Sequence, residues 1–130
     1  MTINTLKATA PYLPTAIYYE DGDFLEYIRE DIPSVDRRVD EYLTLVVDMF
    51  DRHPIGVKLK GFRYLYSRGV SQGYFRSNQD FISLTALVEK AMTTIVDSIF
   101  GEIERQRAYE QAIEIAKVDN VHVDRDQFAA

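Results

Sequence analysis

The sequence predicts an α+β domain: an antiparallel sheet of about four strands followed by one or two long C-terminal helices. Three observations lead there. Short runs of β-branched and aromatic residues, separated by turn signals, fill the chain from about residue 16 to 66. From Asp80 the apolar period changes from 2 to 3.6, which sets the helices at about residues 78–118. The chain has 130 residues and is 46% hydrophobic, enough for one domain with its own core.

Residues 1–14 hold two prolines and no alternation and read as an N-terminal arm, leaving 15–130 as the single domain. AIYYE, Asp21-Gly22 and FLEYIRE form a hairpin signal in which Gly22 supplies a positive φ. In the second run Phe24, Glu26 and Ile28 face one way, and Leu25, Tyr27 and Arg29 the other. Both sets are partly apolar, so this strand is expected to be covered on both sides. Pro33 makes IPSVDRR a bend or an edge. In VDEYLTLVVDMF, Val39, Leu43, Leu45, Val47 and Met49 share one face, and Tyr42, Thr44, Val46 and Asp48 the other. After the turn DRHP, IGVKLKGF alternates with Ile55, Val57 and Leu59 inward and Lys58 and Lys60 outward, as in a half-buried antiparallel strand. If it runs on past Gly61, Phe62, Tyr64 and Tyr66 stay on the lysine side; a bulge there turns them inward. SRGVSQGYFRSN reads as a loop.

Ser77 and Asp80 give a capping-box-like helix start. Leu84, Leu87, Val88, Ala91, Ile95, Ile99 and Ile103 then form an apolar stripe, widened by Met92, Val96 and Phe100. Gly101 marks a kink or a break. Glu102 to Val118 resumes with Ala108, Ala112, Ile115 and Ala116 on one side. A single helix over this span would be about 57 Å long, against a domain diameter of about 30–35 Å. The chain therefore turns back at Gly101 or lies on a second copy. The breadth of the stripe favours a homodimer, with Leu84, Leu87, Val88, Ala91, Ile95, Ile99 and Ile103 at its interface. The closing VHV alternation is a short edge strand or a tail.

Composition excludes several chemistries. There is no cysteine, hence no disulfide or thiolate metal site, and a reducing cytoplasm is the expected location. Only His53 and His122 offer imidazole, so no His-rich metal site is expected. No apolar run is long enough to span a membrane, and the N-terminus lacks the pattern of a signal peptide. Net charge is −6, yet Arg52, Lys58, Lys60, Arg63, Arg68 and Arg76 follow one another with no acid between them. Such a segment either answers neighbouring acids or engages an acidic partner.

Four constellations bear on function. KGFRYLY shares Lys60, Gly61 and Phe62 with the opening of the RNA-binding RNP1 motif. Arg63 stands where a small residue is wanted, and the order of elements differs, so nucleic acid is not the expected partner. Asp21 with Asp23, and Asp48 with Asp51, are spaced as turn caps. The serines lack a G-x-S-x-G elbow, His53 reads as a solvated turn residue, and no phosphate-binding glycine pattern occurs. Arg37 and Arg38 are adjacent on an extended segment and so point to opposite faces. No catalytic residue, metal or cofactor is expected. The candidate partner- or anion-binding residues are Arg37, Arg38, Lys58, Lys60, Arg63, Tyr64, Tyr66, Arg68 and Arg76.

YYEDGDFLEYIRED and VDRRVDEYLTLVVDMFDRHPIGVKLKGF resemble the DUF2283 family of small prokaryotic proteins. Tyr19, Arg37, Val39, Asp40, Asp48, Gly56, Val57 and Leu59 fill comparable places, and the likeness covers residues 18–62. This chain has Asp51-Arg52-His53-Pro54 where the family has an Asp-Gly turn, and it adds a helical tail. The family has no established enzymatic activity, and the resemblance implies an antiparallel meander and, for an antitoxin-like member partnering a small toxin, protein binding.

Together these features suggest a non-catalytic, dimeric interaction or regulatory module that meets an acidic protein through its sheet edge or its basic segment 58–76. The alternatives are a nucleic-acid binder using that segment with its aromatics, and an enzyme with a site between subunits.

Overall fold

The structure, a computed structural model, describes residues 11–95 and 103–128. The α+β class is as expected, but the sheet has five strands rather than four. They are β1 (Ile17–Tyr19), β2 (Phe24–Ile28), β3 (Ser34–Arg38), β4 (Leu43–Asp48) and β5 (Pro54–Lys60), antiparallel throughout and ordered β1-β2-β5-β4-β3. The additional strand is SVDRR, after Pro33. Its polar pattern hides it, because an outermost strand needs only one bonded neighbour and little burial.

The β1–β2 hairpin forms where expected, with Tyr19 opposite Phe24. The residue in the left-handed region is Asp23 (φ 52°), not Gly22. Asp23 also anchors the chain where it leaves β5. Its carbonyl accepts from the N–H groups of Gly61 and Phe62, and its Oδ1 accepts from the N–H of Arg63 at 3.1 Å. Those are N-terminal donors of a helix, α1 (Phe62–Ser71). Gly61, at φ 68°, turns the chain out of β5 into it. The sheet therefore ends at Lys60, and FRYLYSRGVS is helical rather than strand and loop. On this helix Phe62, Leu65 and Gly69 are buried and Tyr64 is exposed.

The chain continues through β6 (Phe81–Ser83), α2 (Leu84–Ile95), α3 (Ile103–Val118) and β7 (His122–Asp124). β6 and β7 pair, with Ile82 opposite Val123, so the VHV alternation is a strand. The cap of α2 is Ser83, whose Oγ accepts from Ala86 N–H at 3.4 Å, and not Ser77. α2 and α3 lie side by side, and α3 packs on β4 and β5. Leu25, Tyr27, Leu43, Leu45, Val57 and Leu59 of the sheet meet α2 and α3 in one core. The other face of β2 is only half covered: Phe24, Glu26 and Ile28 are intermediate in burial.

This packing corrects the proposed dimer surface. Leu84, Leu87, Val88 and Ala91 are at most 1% exposed within a single chain. Their apolar area is removed from water within the chain, where α2 packs against α3, α1 and β6, so it offers nothing to a second copy. Ile103 is exposed. Ile99, Gly101 and the side chain of Ile95 lie outside the described residues.

The two sheet edges differ. At β1 the side chain of Gln127 acts as a short surrogate strand: its Oε1 accepts from Tyr18 N–H at 2.9 Å, and its Nε2 donates to the Ala16 carbonyl at 3.0 Å. β3, at the other side, has no such cover among the described residues.

Candidate interaction edge

β3 is the outermost strand, and its last three residues, Asp36, Arg37 and Arg38, are exposed. Val39 N–H donates to the Leu43 carbonyl at 2.9 Å, and Met49 N–H donates to that of Pro33 at 3.0 Å. Odd-numbered residues of the strand therefore bond to β4. By the alternation of an antiparallel ladder, Ser34, Asp36 and Arg38 turn their N–H and C=O groups outward.

Side chains alternate on the perpendicular axis. Val35 and Arg37 oppose Val47 and Leu45 and so share the helix-bearing face. Asp36 and Arg38 oppose Val46 and Thr44 on the opposite face. A hollow of about 540 Å³ lined by Val35, Asp36, Arg37, Val47 and Arg52 lies on the first side. A hollow of about 330 Å³ lined by Phe24, Asp36, Arg38, Thr44, Lys58 and Lys60 lies on the second.

The charges there are unevenly satisfied. Lys58 Nζ is 2.8 Å from Asp36 and 3.6 Å from Glu26, which accounts for its charge. Burial opposes the charged amine, but these two carboxylates raise its pKa overall. Among the described residues, Arg38 Nε donates only to the Asp40 carbonyl, at 3.3 Å. Arg37, Arg52 and Lys60 are exposed and form no ion pair among the described residues.

The strand's C-terminal end is anchored from within. Asp40 Oδ1 accepts from Tyr42 and Leu43 N–H, both at 2.8 Å, and so closes the β3–β4 turn. Its Oδ2 accepts from Arg105 Nε at 2.9 Å and Tyr109 OH at 2.8 Å, both on α3. Burial, then the Asp40 carboxylate, raises the Tyr109 pKa well above the usual phenol range. The edge is thus tied to the helical layer.

The other candidates scatter. Arg63 pairs with Glu20 at 3.1 Å, while Arg68 lies over the Tyr64 ring, 5.9 Å from its centroid. Tyr66 is half-buried, 5.9 Å from Phe62 and 5.0 Å from Phe128, and is not a stacking platform. Arg76 sits in an exposed loop, where its N–H donates to Gln79. Because these residues belong to α1 and the loop after it, the RNP1-like segment provides no aromatic sheet face.

Two further groups stand outside the sequence expectations. Lys90 on α2 is 4% exposed; its amine donates to the Gln72 amide oxygen and lies 4.9 Å over the Tyr74 ring, and desolvation lowers its pKa. Its sequence signal is a lysine set inside an apolar stripe. Arg52 joins Arg37 because the 49–53 turn returns beside β3, with Arg52 itself at φ 67°. His53 holds its Nδ1 2.6 Å from Asp51 Oδ1 and its Nε2 3.6 Å from Glu30 Oε2, while Asp48 Oδ1 accepts from Phe50 and Asp51 N–H. Asp48, Asp51 and His53 place ligand atoms within 4.8 Å of one another, and these bonds close the β4–β5 turn.

No protein-family model, curated protein or solved structure matches the chain. Among the described residues, no helix is long and apolar enough to cross a membrane.

Proposed function

We propose that this chain is a non-catalytic interaction module that receives an extended acidic segment of another protein along β3, by strand addition. The observation that carries this reading is the outward row of backbone groups at Ser34, Asp36 and Arg38, set between two hollows that each contain an arginine. Main-chain bonds to such an edge supply affinity, and flanking hollows that take alternate side chains supply specificity. Arg37, Arg38, Arg52 and Lys60 ask for carboxylates across the interface. A second copy is the poorer occupant, because it would bring the same cations against these and like charges across a ladder repel.

The test uses the full chain and a ten-residue peptide of alternating glutamate and valine, titrated by nuclear magnetic resonance at low salt. Amide shifts centred on Ser34, Asp36 and Arg38, weakening as salt screens the charges, are expected. Shifts confined to α1, or no binding at all, would overturn the reading. Asp36→Pro removes one outward donor while leaving the β3–β4 bonds in place, and is expected to abolish binding with the fold retained. In sedimentation the free chain is expected to be monomeric at micromolar concentration; a dimer joined through β3 would overturn the choice of partner.

A further inference from the structure

Resting on that reading of β3, we infer that the edge selects two adjacent acidic residues, one read on each face of the sheet. Arg37 and Arg38 are consecutive and point to opposite sides, with Leu45 and Thr44 as their respective cross-strand neighbours. An added strand continues the same pleat, so its consecutive side chains also fall on opposite faces.

On the helix-bearing side an incoming carboxylate lies between Arg37 and Arg52, and its methylenes cover the half-buried Val35. The acid lining that hollow, Asp36, is already engaged by Lys58 at 2.8 Å. On the opposite side the next carboxylate meets Arg38 and Lys60, since Lys58 is taken up by Asp36 and Glu26. Guanidinium groups suit this task, because their planar fork accommodates both oxygens of a carboxylate. Acids spaced two apart fall on one face and leave the arginine of the other face without a partner. Adjacency is thus the feature that satisfies both cations at once.

The experiment compares two ten-residue peptides of identical composition built from threonine and valine. One carries Glu-Glu at its centre and the other Glu-Thr-Glu. The wild-type chain is expected to bind the adjacent pair about tenfold more tightly, and Arg37→Glu or Arg38→Glu is expected to erase that preference. Both arginines are exposed, so neither change disturbs the core. Equal affinity for the two peptides, with shifts still centred on β3, would overturn the pair selection and leave strand addition standing. Absence of shifts at β3 with either peptide would overturn both. The wild-type comparison alone is decisive if a variant fails to fold.

Discussion

Asp40 and Arg105 are 65 residues apart in the chain and 2.9 Å apart in the fold, with side chains only 11% and 9% exposed. Arg105 Nη2 is buried and has no hydrogen-bond partner among the described residues, so this cation depends on Asp40. Removing one member of a buried ion pair costs about 3–5 kcal/mol, because the other charge stays desolvated and unmatched. Asp40→Asn is expected to lower the unfolding free energy by about that amount. Asp40→Asn with Arg105→Met should cost clearly less than the two single changes added together. Denaturant unfolding of all four proteins measures this, and strict additivity would show the pair to be uncoupled.

Gly69 lies on the buried face of α1, and a Cβ there would overlap the ring of Phe75. Alanine usually favours a helix, yet Gly69→Ala is expected to destabilise by about 1–3 kcal/mol through overpacking. Adding Phe75→Leu should restore part of the loss. The readout is the urea midpoint at unchanged slope; a more stable Gly69→Ala would contradict the packing described.

Asp119 joins the end of α3 to β2. Its Oδ2 accepts from Tyr27 OH and Arg29 Nε, both at 2.8 Å, and its Oδ1 accepts from the Arg29 terminal nitrogen at 3.1 Å. Burial opposes its ionisation, but the bonds from Arg29 and then Tyr27 outweigh that and lower its pKa below the ordinary 3.8. The unfolded chain therefore binds this proton first as pH falls. Asp119's contribution is complete above the unfolded value and disappears as pH drops through the native one. Between about pH 5 and pH 2 the wild type is expected to lose stability more steeply than Asp119→Asn. Parallel curves would deny Asp119 that role.

His53 is held in the opposite sense. The hydrogen bond to Asp51 chiefly raises its pKa above 6.5, with smaller help from Glu30 and Asp48 and some opposition from desolvation. Any stability it lends is full below 6.5 and is lost as pH rises through the native value. A proton titration followed at the imidazole should show a midpoint above 6.5 that returns toward it in Asp51→Asn. An unchanged midpoint in that variant would remove Asp51 as the cause.

Most of the meander and the helical character of the C-terminal third are legible in the sequence, since each carries a period that its own side chains declare; the division into α2 and α3 is not. α1 is hidden because FRYLYSR suits a strand as well as a helix. What decides it is Gly61 in the left-handed region and the Asp23 cap, 40 residues away from Arg63. The apolar stripe of α2 announces burial but not its cover: α3, α1 and β6 pack against it within the chain, and a helical period does not reveal such tertiary packing. At the edge, strand alternation alone places Arg37 and Arg38 on opposite faces. Arg52 escapes a sequence reading, because its surroundings are made by a turn rather than by a repeat; Lys90 stands out as a lysine in an apolar stripe, but its partners Gln72 and Tyr74 come from a loop.

The Gln127 amide that bridges Tyr18 and Ala16 gives the sheet a direction of growth. Two outward backbone groups of the β1 margin are taken up by its own chain, which leaves β3 as the more accessible margin for an added strand. A continuous stack of copies of this chain would need both margins, and the Gln127 bonds oppose such stacking at β1.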